Sequence, residues 1–107
     1  MIRAGDGPVI YSERANYSAT LLASCPPGAR RDIFRLVVEP GEARVSEPHM
    51  AGTSEHVVLS TGRALVGPAS DPVELAPGDY VTYPGDAIHI FKALAPGTTG
   101  VMIMEHV

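Results

Sequence analysis

The chain has 107 residues, an apolar fraction of 45% and a formal net charge of −4. A chain of this length buries about two thirds of its unfolded surface, so these values predict a single folded domain over residues 1–107. No apolar run approaches the ~20 residues of a membrane helix. The basic stripe typical of DNA-binding surfaces is also missing. We therefore expect no membrane partner and no direct nucleic-acid binding by this chain.

The cysteine content and the first residues bear on the compartment. Cys25 is the single cysteine, which excludes an internal disulfide and fits a reducing environment. The first fourteen residues, MIRAGDGPVIYSER, lack the continuous apolar run of a secretion signal. These features predict a cytoplasmic protein.

Eleven glycines and ten prolines divide the chain into short apolar segments, which favours strands over helices. In chain order the predicted strands are residues 8–11, 17–24, 32–38, 43–46, 55–60, 63–67, 72–75, 80–83, 87–94 and 101–106. A turn is predicted at residues 25–29, a hairpin at Thr61-Gly62 and a loop at residues 95–100. Strands repeating every 8–12 residues or so are typical of an antiparallel sandwich or barrel.

Two stretches carry the side chains with the most distinctive chemistry. Residues 47–62, EPHMAGTSEHVVLSTG, place His49 six residues before Glu55. Residues 78–91, GDYVTYPGDAIHIF, contain His89. Imidazole and carboxylate groups bind divalent first-row metals, so these three residues are candidates for one open metal site.

Strand alternation extends this prediction to neighbouring side chains. If Glu55 points into a barrel, Val57 and Leu59 do so as well. If His89 points inward, Phe91 and Ala87 share its face. These rules predict an apolar cup with a few polar groups, which is the usual make-up of a small-molecule pocket.

The two stretches resemble the two motifs of the cupin superfamily. The first motif is matched by His49-Met50-Ala51, three residues, Glu55, six residues and Gly62. The second is matched by Gly78, five residues and Pro84-Gly85-Asp86-Ala87-Ile88-His89. The resemblance implies an all-β fold, the double-stranded β-helix or jelly-roll barrel.

This sequence departs from the cupin motifs at three positions. Ala51 stands where the family has a second metal-binding histidine, Asp86 replaces a glycine and Ala93 replaces an asparagine. Of the four family ligand positions, three therefore remain in this sequence: His49, Glu55 and His89.

The resemblance implies a 2-His-1-carboxylate site for one divalent ion such as Zn, Fe, Mn or Ni. The alternative is that the loss at Ala51 has abolished metal binding, and the two histidines hydrogen-bond Glu55 or a ligand directly. Tyr83 and Phe91 are expected to line the cup as ligand-binding residues, although Tyr83 can equally fill the core. A further alternative is a filled core, with Leu59, Val81 and Phe91 occupying the barrel.

Other candidate residues are assigned simpler roles. We expect His56 to be an exposed strand residue and His106 to be an end-of-chain residue. Met102 and Met104 share a strand face and are expected to belong to the core.

Among cupins, the chain is most similar to small single-domain members, including the C-terminal sensor domain of bacterial regulators that carry an N-terminal helix-turn-helix. The first hypothesis is accordingly a ligand-sensing module. The second is a small metal-dependent enzyme of the dioxygenase or isomerase type, and the third is a structural dimerisation module. The incomplete ligand set favours the first or the third. We also expect a homodimer, because the segment at residues 32–38 is apolar on both faces except at Arg35, and exposed sheet edges favour pairing.

Overall fold

The computed structural model describes residues 3, 7–11, 16–23 and 30–106. The turn predicted at residues 25–29, which includes Cys25, lies outside the described residues. Within them the chain forms ten strands and no helix, and therefore no helix that is long and apolar enough to span a membrane. The strands are β1 Val9–Tyr11, β2 Tyr17–Ala23, β3 Arg31–Val38, β4 Arg44–Ser46, β5 Ser54–Thr61, β6 Ala64–Pro68, β7 Val73–Leu75, β8 Tyr80–Pro84, β9 His89–Ala93 and β10 Thr98–Glu105.

The strands form two antiparallel sheets. The larger sheet has the order β1-β2-β3-β10-β5-β8, and the smaller has the order β4-β9-β6-β7. Their facing sides bury one apolar core, whose most enclosed members are Leu36, Val38, Val57, Leu59, Ala64 and Val66. The predicted all-β jelly-roll architecture is confirmed.

Side-chain alternation on β5 follows the prediction. Glu55, Val57 and Leu59 are buried, whereas Val58 is 43% exposed on the opposite face. The inner face of this strand therefore carries a carboxylate at one end and apolar side chains along the rest.

The hairpin predicted at Thr61-Gly62 is wrong. β5 pairs with β8 and β10, and β6 pairs with β7 and β9, so the turn carries the chain from one sheet to the other. Both edges of β5 are already occupied, which leaves no edge for β6. The Thr61 hydroxyl instead donates to the Gly97 carbonyl at 2.6 Å, and Gly62, with φ +82°, packs against Thr98.

Two predicted boundaries also need correction. The predicted strand at residues 87–94 begins only at His89, and Ala87 is exposed instead of sharing the inner face of His89. The loop predicted at residues 95–100 is shorter, because β10 begins at Thr98, whose side chain is fully buried and whose hydroxyl donates to the Ala95 carbonyl at 2.8 Å.

Candidate functional site

Three polar side chains from different parts of the chain converge between the two sheets. Glu55 lies on β5, His89 is the first residue of β9, and His49 lies in the loop between β4 and β5. His49 Nε2 is 2.9 Å from Glu55 Oε2, and His89 Nε2 is 2.8 Å from the same oxygen. One ligand atom from each residue lies within 4.8 Å of the other two. The structure thus brings together the three residues singled out by their spacing, while their role in binding stays a prediction.

The second carboxylate oxygen of Glu55 has its own partner. Tyr83 lies directly opposite Glu55 in the β5–β8 pairing, and its hydroxyl donates to Glu55 Oε1 at 3.0 Å. Both residues are buried. Burial together with the Glu55 charge strongly raises the pKa of Tyr83, so this phenol stays a hydrogen-bond donor. It holds the carboxylate in one orientation.

Electrostatics favour a charged Glu55 paired with a protonated His89. Burial by itself raises the pKa of Glu55, but hydrogen bonds from His89 and Tyr83 and the charges of both histidines outweigh it, and the net pKa is lowered. Burial lowers the pKa of His89, but the Glu55 carboxylate and the Ala87 carbonyl outweigh it, and the net pKa is raised.

The Ala87 carbonyl fixes the orientation of the His89 ring. His89 Nδ1 donates to this carbonyl at 2.9 Å, which directs Nε2 toward Glu55. In a neutral ring with this tautomer, the Nε2 lone pair would face a carboxylate oxygen, so the short contact requires a proton or another cation between them. Two imidazole nitrogens and one carboxylate oxygen around a shared point fit a divalent cation, which takes the place of protons at such sites.

Backbone hydrogen bonds join the loop that carries His49 to the turn between β8 and β9. The His49 amide donates to the Gly85 carbonyl at 2.8 Å, and the Gly85 amide donates to the Thr53 carbonyl at 2.7 Å. The Gly52 amide donates to Asp86 Oδ2 at 3.1 Å. Asp86, noted in the sequence only as a departure from the motif, therefore helps to position the loop of His49.

Ala51, at the position of the missing family ligand, is exposed in a turn of the loop between β4 and β5, and its methyl group offers no ligand atom. The cluster therefore offers three protein ligand atoms, one each from His49, Glu55 and His89.

Comparison with known proteins identifies the fold. No family model and no curated protein sequence matches the chain. Among solved structures, an HTH_3 family transcriptional regulator from Vibrio cholerae superposes with a TM-score of 0.81 at 19% identity, over 87% of this chain and 52% of that one. The Cupin_2 domain of an XRE family transcriptional regulator from Enterobacter cloacae superposes with a TM-score of 0.76 at 24% identity, over 86% and 97% of the two chains. The chain has a cupin fold.

A third neighbour widens the range of functions found on this fold. A predicted oxalate decarboxylase from Thermotoga maritima superposes with a TM-score of 0.78 at 14% identity, over 100% of this chain and 99% of that one. The present chain thus spans nearly the whole of this neighbour and of the Cupin_2 domain, but only about half of the Vibrio regulator. At these identities the likeness establishes the fold, and function has to be argued from the site.

The cupin barrel encloses a cavity of about 150 Å³ beside the three convergent residues. Tyr83 and Phe91 lie on its wall, where they were expected, and their role in ligand binding stays a prediction. Leu59 and Val81 do not line the cavity, so the barrel is not filled at the histidine end as the filled-core alternative requires. Among the described residues, the cavity is lined by Ile10, Tyr17, Ala19, Phe34, Arg44, Ser46, His49, Glu55, Tyr83, His89, Ile90, Phe91, Met102 and Met104.

Sequence reasoning missed Arg44, Ser46 and Tyr17 as residues of the cup. Arg44 and Ser46 lie on a three-residue strand, and alternation over so short a segment does not indicate which side chains face inward. Met102 and Met104, expected only in the core, also line the cavity. The sequence gives no other indication that Arg44 and Tyr17 belong to the cup, because an isolated arginine or tyrosine has no characteristic spacing.

The other two histidines lie outside the cup. His56 is half-buried instead of exposed, because its Nδ1 is 2.7 Å from the Tyr80 hydroxyl and its Nε2 is 2.9 Å from Glu105 Oε1. His106 Nε2 is 3.4 Å from Asp32 Oδ2, near the end of the chain as expected. Both histidines can serve as controls for experiments on the cup.

Proposed function

We propose that this chain is a small-molecule-binding cupin module, related to the ligand-sensing domains of bacterial transcriptional regulators. Its ligand binds in the cup beside His49, Glu55 and His89. The observation that carries this proposal is the convergence of these three side chains at a cavity whose other walls are largely apolar, the usual composition of a small-molecule site. The two regulator structures among its neighbours support the sensing role.

The three residues differ in how firmly they are held, which suggests how a ligand acts. Glu55 and His89 are on strands, with 2% and 5% of their side chains exposed, whereas His49 is in a loop with 33% exposed. A ligand that contacts His49 favours the arrangement in which this loop is docked on the turn at Gly85. Sensing then follows from a difference in ligand affinity between the docked and undocked arrangements.

The same three residues would hold one divalent ion, with Zn, Fe, Mn and Ni all compatible with the donor set. Such an ion would act as a Lewis acid toward a ligand oxygen. Tyr83 orients the Glu55 carboxylate for this role, and the Ala87 carbonyl directs His89 Nε2 toward the same point. Partners of this kind behind metal ligands commonly affect metal affinity about 10-fold to 100-fold.

A second candidate function is a small metal-dependent enzyme of the dioxygenase or isomerase type. The specific observation in its favour is the 2-His-1-carboxylate set, because three protein ligands leave positions open for substrate. Elemental analysis of protein purified without chelator separates the two candidates. About one metal ion per chain favours the enzyme, and metal-free protein favours the sensor.

The proposed binding position is tested by replacing His89 with alanine and titrating chelator-treated protein with Zn²⁺ as a probe. We expect His89→Ala to lower Zn²⁺ affinity by at least about tenfold. Removing a metal ligand should weaken binding more than removing the hydrogen-bond partner of a ligand, which alone has an effect of about this size. His106→Ala is the matched control and should bind Zn²⁺ like the unmodified chain. Unchanged Zn²⁺ affinity together with a large fall in melting temperature in His89→Ala would contradict the proposal.

We also propose that the module works as a homodimer in the cytoplasm. The outer face of the larger sheet supports dimerisation, because it carries Val37, Val58 and Tyr80 with exposed fractions of 40%, 43% and 55%. The single Cys25 is in keeping with a reducing compartment.

A further inference from the structure

A positively charged side chain lies on the same wall of the cup as His89. In the β4–β9 pairing, Arg44 is opposite Phe91 and Ser46 is opposite His89. Arg44 and Ser46 both line the cavity, while Val45 between them is 57% exposed on the other face. Arg44 is therefore a residue of the cup, two strand positions away from the convergent cluster.

The guanidinium of Arg44 is supported by an aromatic ring and has no carboxylate partner among the described residues. Its Cζ lies 5.6 Å from the centroid of the Tyr17 ring, and this ring meets Phe91 edge-on at 5.9 Å. None of the ion pairs found in the described part of the chain includes Arg44. Pairing with an anion stabilises a half-buried cation of this kind. A planar guanidinium can donate two parallel hydrogen bonds to a carboxylate.

The charges inside the cup favour an anionic ligand. The Glu55 carboxylate already accepts a hydrogen bond from Tyr83 and contacts both imidazole rings, whereas Arg44 has no ion-pair partner among the described residues. The positive charge is therefore the one that a ligand can pair with, and a ligand carrying one negative charge does so. A divalent ion at the cluster would add positive charge and would favour an anion further.

The size and walls of the cavity limit the rest of the ligand. A cavity of about 150 Å³ is comparable to an engineered protein cavity that binds benzene. Phe34, Phe91 and Met102 contribute apolar side chains to the cavity wall. Arg44 and His89 are diagonal neighbours on adjacent strands, and such positions lie about 7–8 Å apart. A ring or short carbon chain fits this space.

We propose that the ligand of the cup is a small carboxylic acid whose carboxylate pairs with Arg44 and whose apolar body packs against Phe91 and Met102. The far end of the ligand, carrying an oxygen, faces the cluster of His49, Glu55 and His89. This proposal rests on the proposed function and adds the chemical class of the ligand. The mostly apolar wall favours a carboxylic acid over inorganic phosphate, which offers no apolar surface.

Matched acid and amide probes test this proposal. Benzoate and 4-hydroxybenzoate are compared with benzamide and 4-hydroxybenzamide, which have nearly the same shape without the charge. Binding is followed by methyl NMR of methionine-labelled protein, because Met102 and Met104 line the cavity while Met50 is 82% exposed and reports non-specific effects. Inorganic phosphate is titrated as a separate arm.

We expect at least one of the two acids to shift the Met102 and Met104 signals saturably at millimolar concentrations or below, at least about tenfold more tightly than its amide. Arg44→Gln should remove this preference. Lys92→Gln, which removes one positive charge from the exposed face of β9 in the smaller sheet, should retain it. Acids that bind no better than amides, a preference that survives Arg44→Gln, phosphate that binds better than both acids, or no binding of either acid would each overturn the proposal.

The proposed function is tested independently by the His89→Ala titration. Zn²⁺ binding that depends on His89, combined with a failure of the acid probes, would leave the cluster as a binding position and reject only the carboxylic acid. Acid binding that depends on Arg44, combined with Zn²⁺ binding that does not depend on His89, would reject the cluster instead.

Discussion

Glu55 is the central residue of the site, because its two carboxylate oxygens contact different partners. Oε2 contacts the Nε2 atoms of His49 and His89, and Oε1 accepts a hydrogen bond from Tyr83. The side chain is fully buried, so a lost partner is not replaced by bulk water. Changes around Glu55 should therefore affect both stability and binding.

Replacing Tyr83 with phenylalanine keeps the ring and leaves Oε1 without its donor. We expect the free energy of unfolding to fall by about 1–3 kcal/mol, as is typical of an unpaired buried polar group. Zn²⁺ affinity should fall by about tenfold, because the carboxylate is no longer oriented. Urea denaturation and calorimetric titration measure the two effects.

Tyr80→Phe is the matched control for this variant. Tyr80 is 55% exposed and bonds His56 on the outer face of the sheet, so its loss should change stability by no more than about 0.5 kcal/mol. A Tyr83→Phe protein that matches the unmodified chain in both stability and Zn²⁺ affinity would refute the role assigned to the phenol.

At this scale the sequence predicted the cluster but not its surroundings. Motif spacing and strand alternation were sufficient to select His49, Glu55 and His89. The same rules wrongly placed Ala87 on the inner face, because the strand begins two residues later than its apolar character indicated. They did not predict that Arg44 faces the cup, because its inward direction depends on the pairing of β4 with β9. A pairing between distant segments is not encoded in the local pattern.

Two glycines lie where an added Cβ atom would make close contacts, one with side chains of the site and the other with the backbone of the larger sheet. An alanine Cβ at Gly85 would lie 3.2 Å from His49 Cδ2 and 3.2 Å from Thr53 Cγ2, which are side-chain atoms. At Gly100, where the β5–β10 register shifts, it would lie 2.8 Å from the Val58 carbonyl oxygen, which is backbone. The first contact can be relieved by moving a site residue, and the second only by moving a strand.

These contacts predict that the two alanine variants differ in the property they affect, which is Zn²⁺ binding in one and stability in the other. Gly85→Ala should lower Zn²⁺ affinity by about tenfold, as small displacements of ligands and their supports do, and change stability by less than about 1 kcal/mol. Gly100→Ala should lower stability by about 1–3 kcal/mol, as overpacking does. Thermal unfolding and Zn²⁺ titration of both proteins provide the measurements, and a Gly85→Ala protein that is as destabilised as Gly100→Ala would contradict the distinction.

The strands themselves were largely predictable from the sequence, since glycine and proline mark their ends. The arrangement of strands into sheets was not. The short Thr61-Gly62 connection favoured a hairpin, yet both edges of β5 are taken by β8 and β10. Competition between distant strands for the same edge therefore overrides the local turn signal.

On the scale of the whole molecule, the outer face of the larger sheet is the surface proposed for dimerisation. Val58→Asp places a charge on that face without entering the core, so it should convert the dimer to a monomer in light scattering. Val45→Asp, at an exposed site on the smaller sheet, should leave the dimer intact. An unmodified chain that is monomeric at all concentrations, or a Val58→Asp protein that remains dimeric, would rule out this surface.

The central claim is that His49, Glu55 and His89 share one binding position. The most direct test is a nitrogen-15 correlation spectrum of the four histidine side chains, recorded as Zn²⁺ is added to chelator-treated protein. We predict that the Nε2 signals of His49 and His89 shift together and saturate at one equivalent, while those of His56 and His106 do not change. Shifts at only one of the two cup histidines, or first at His56 or His106, would contradict the claim.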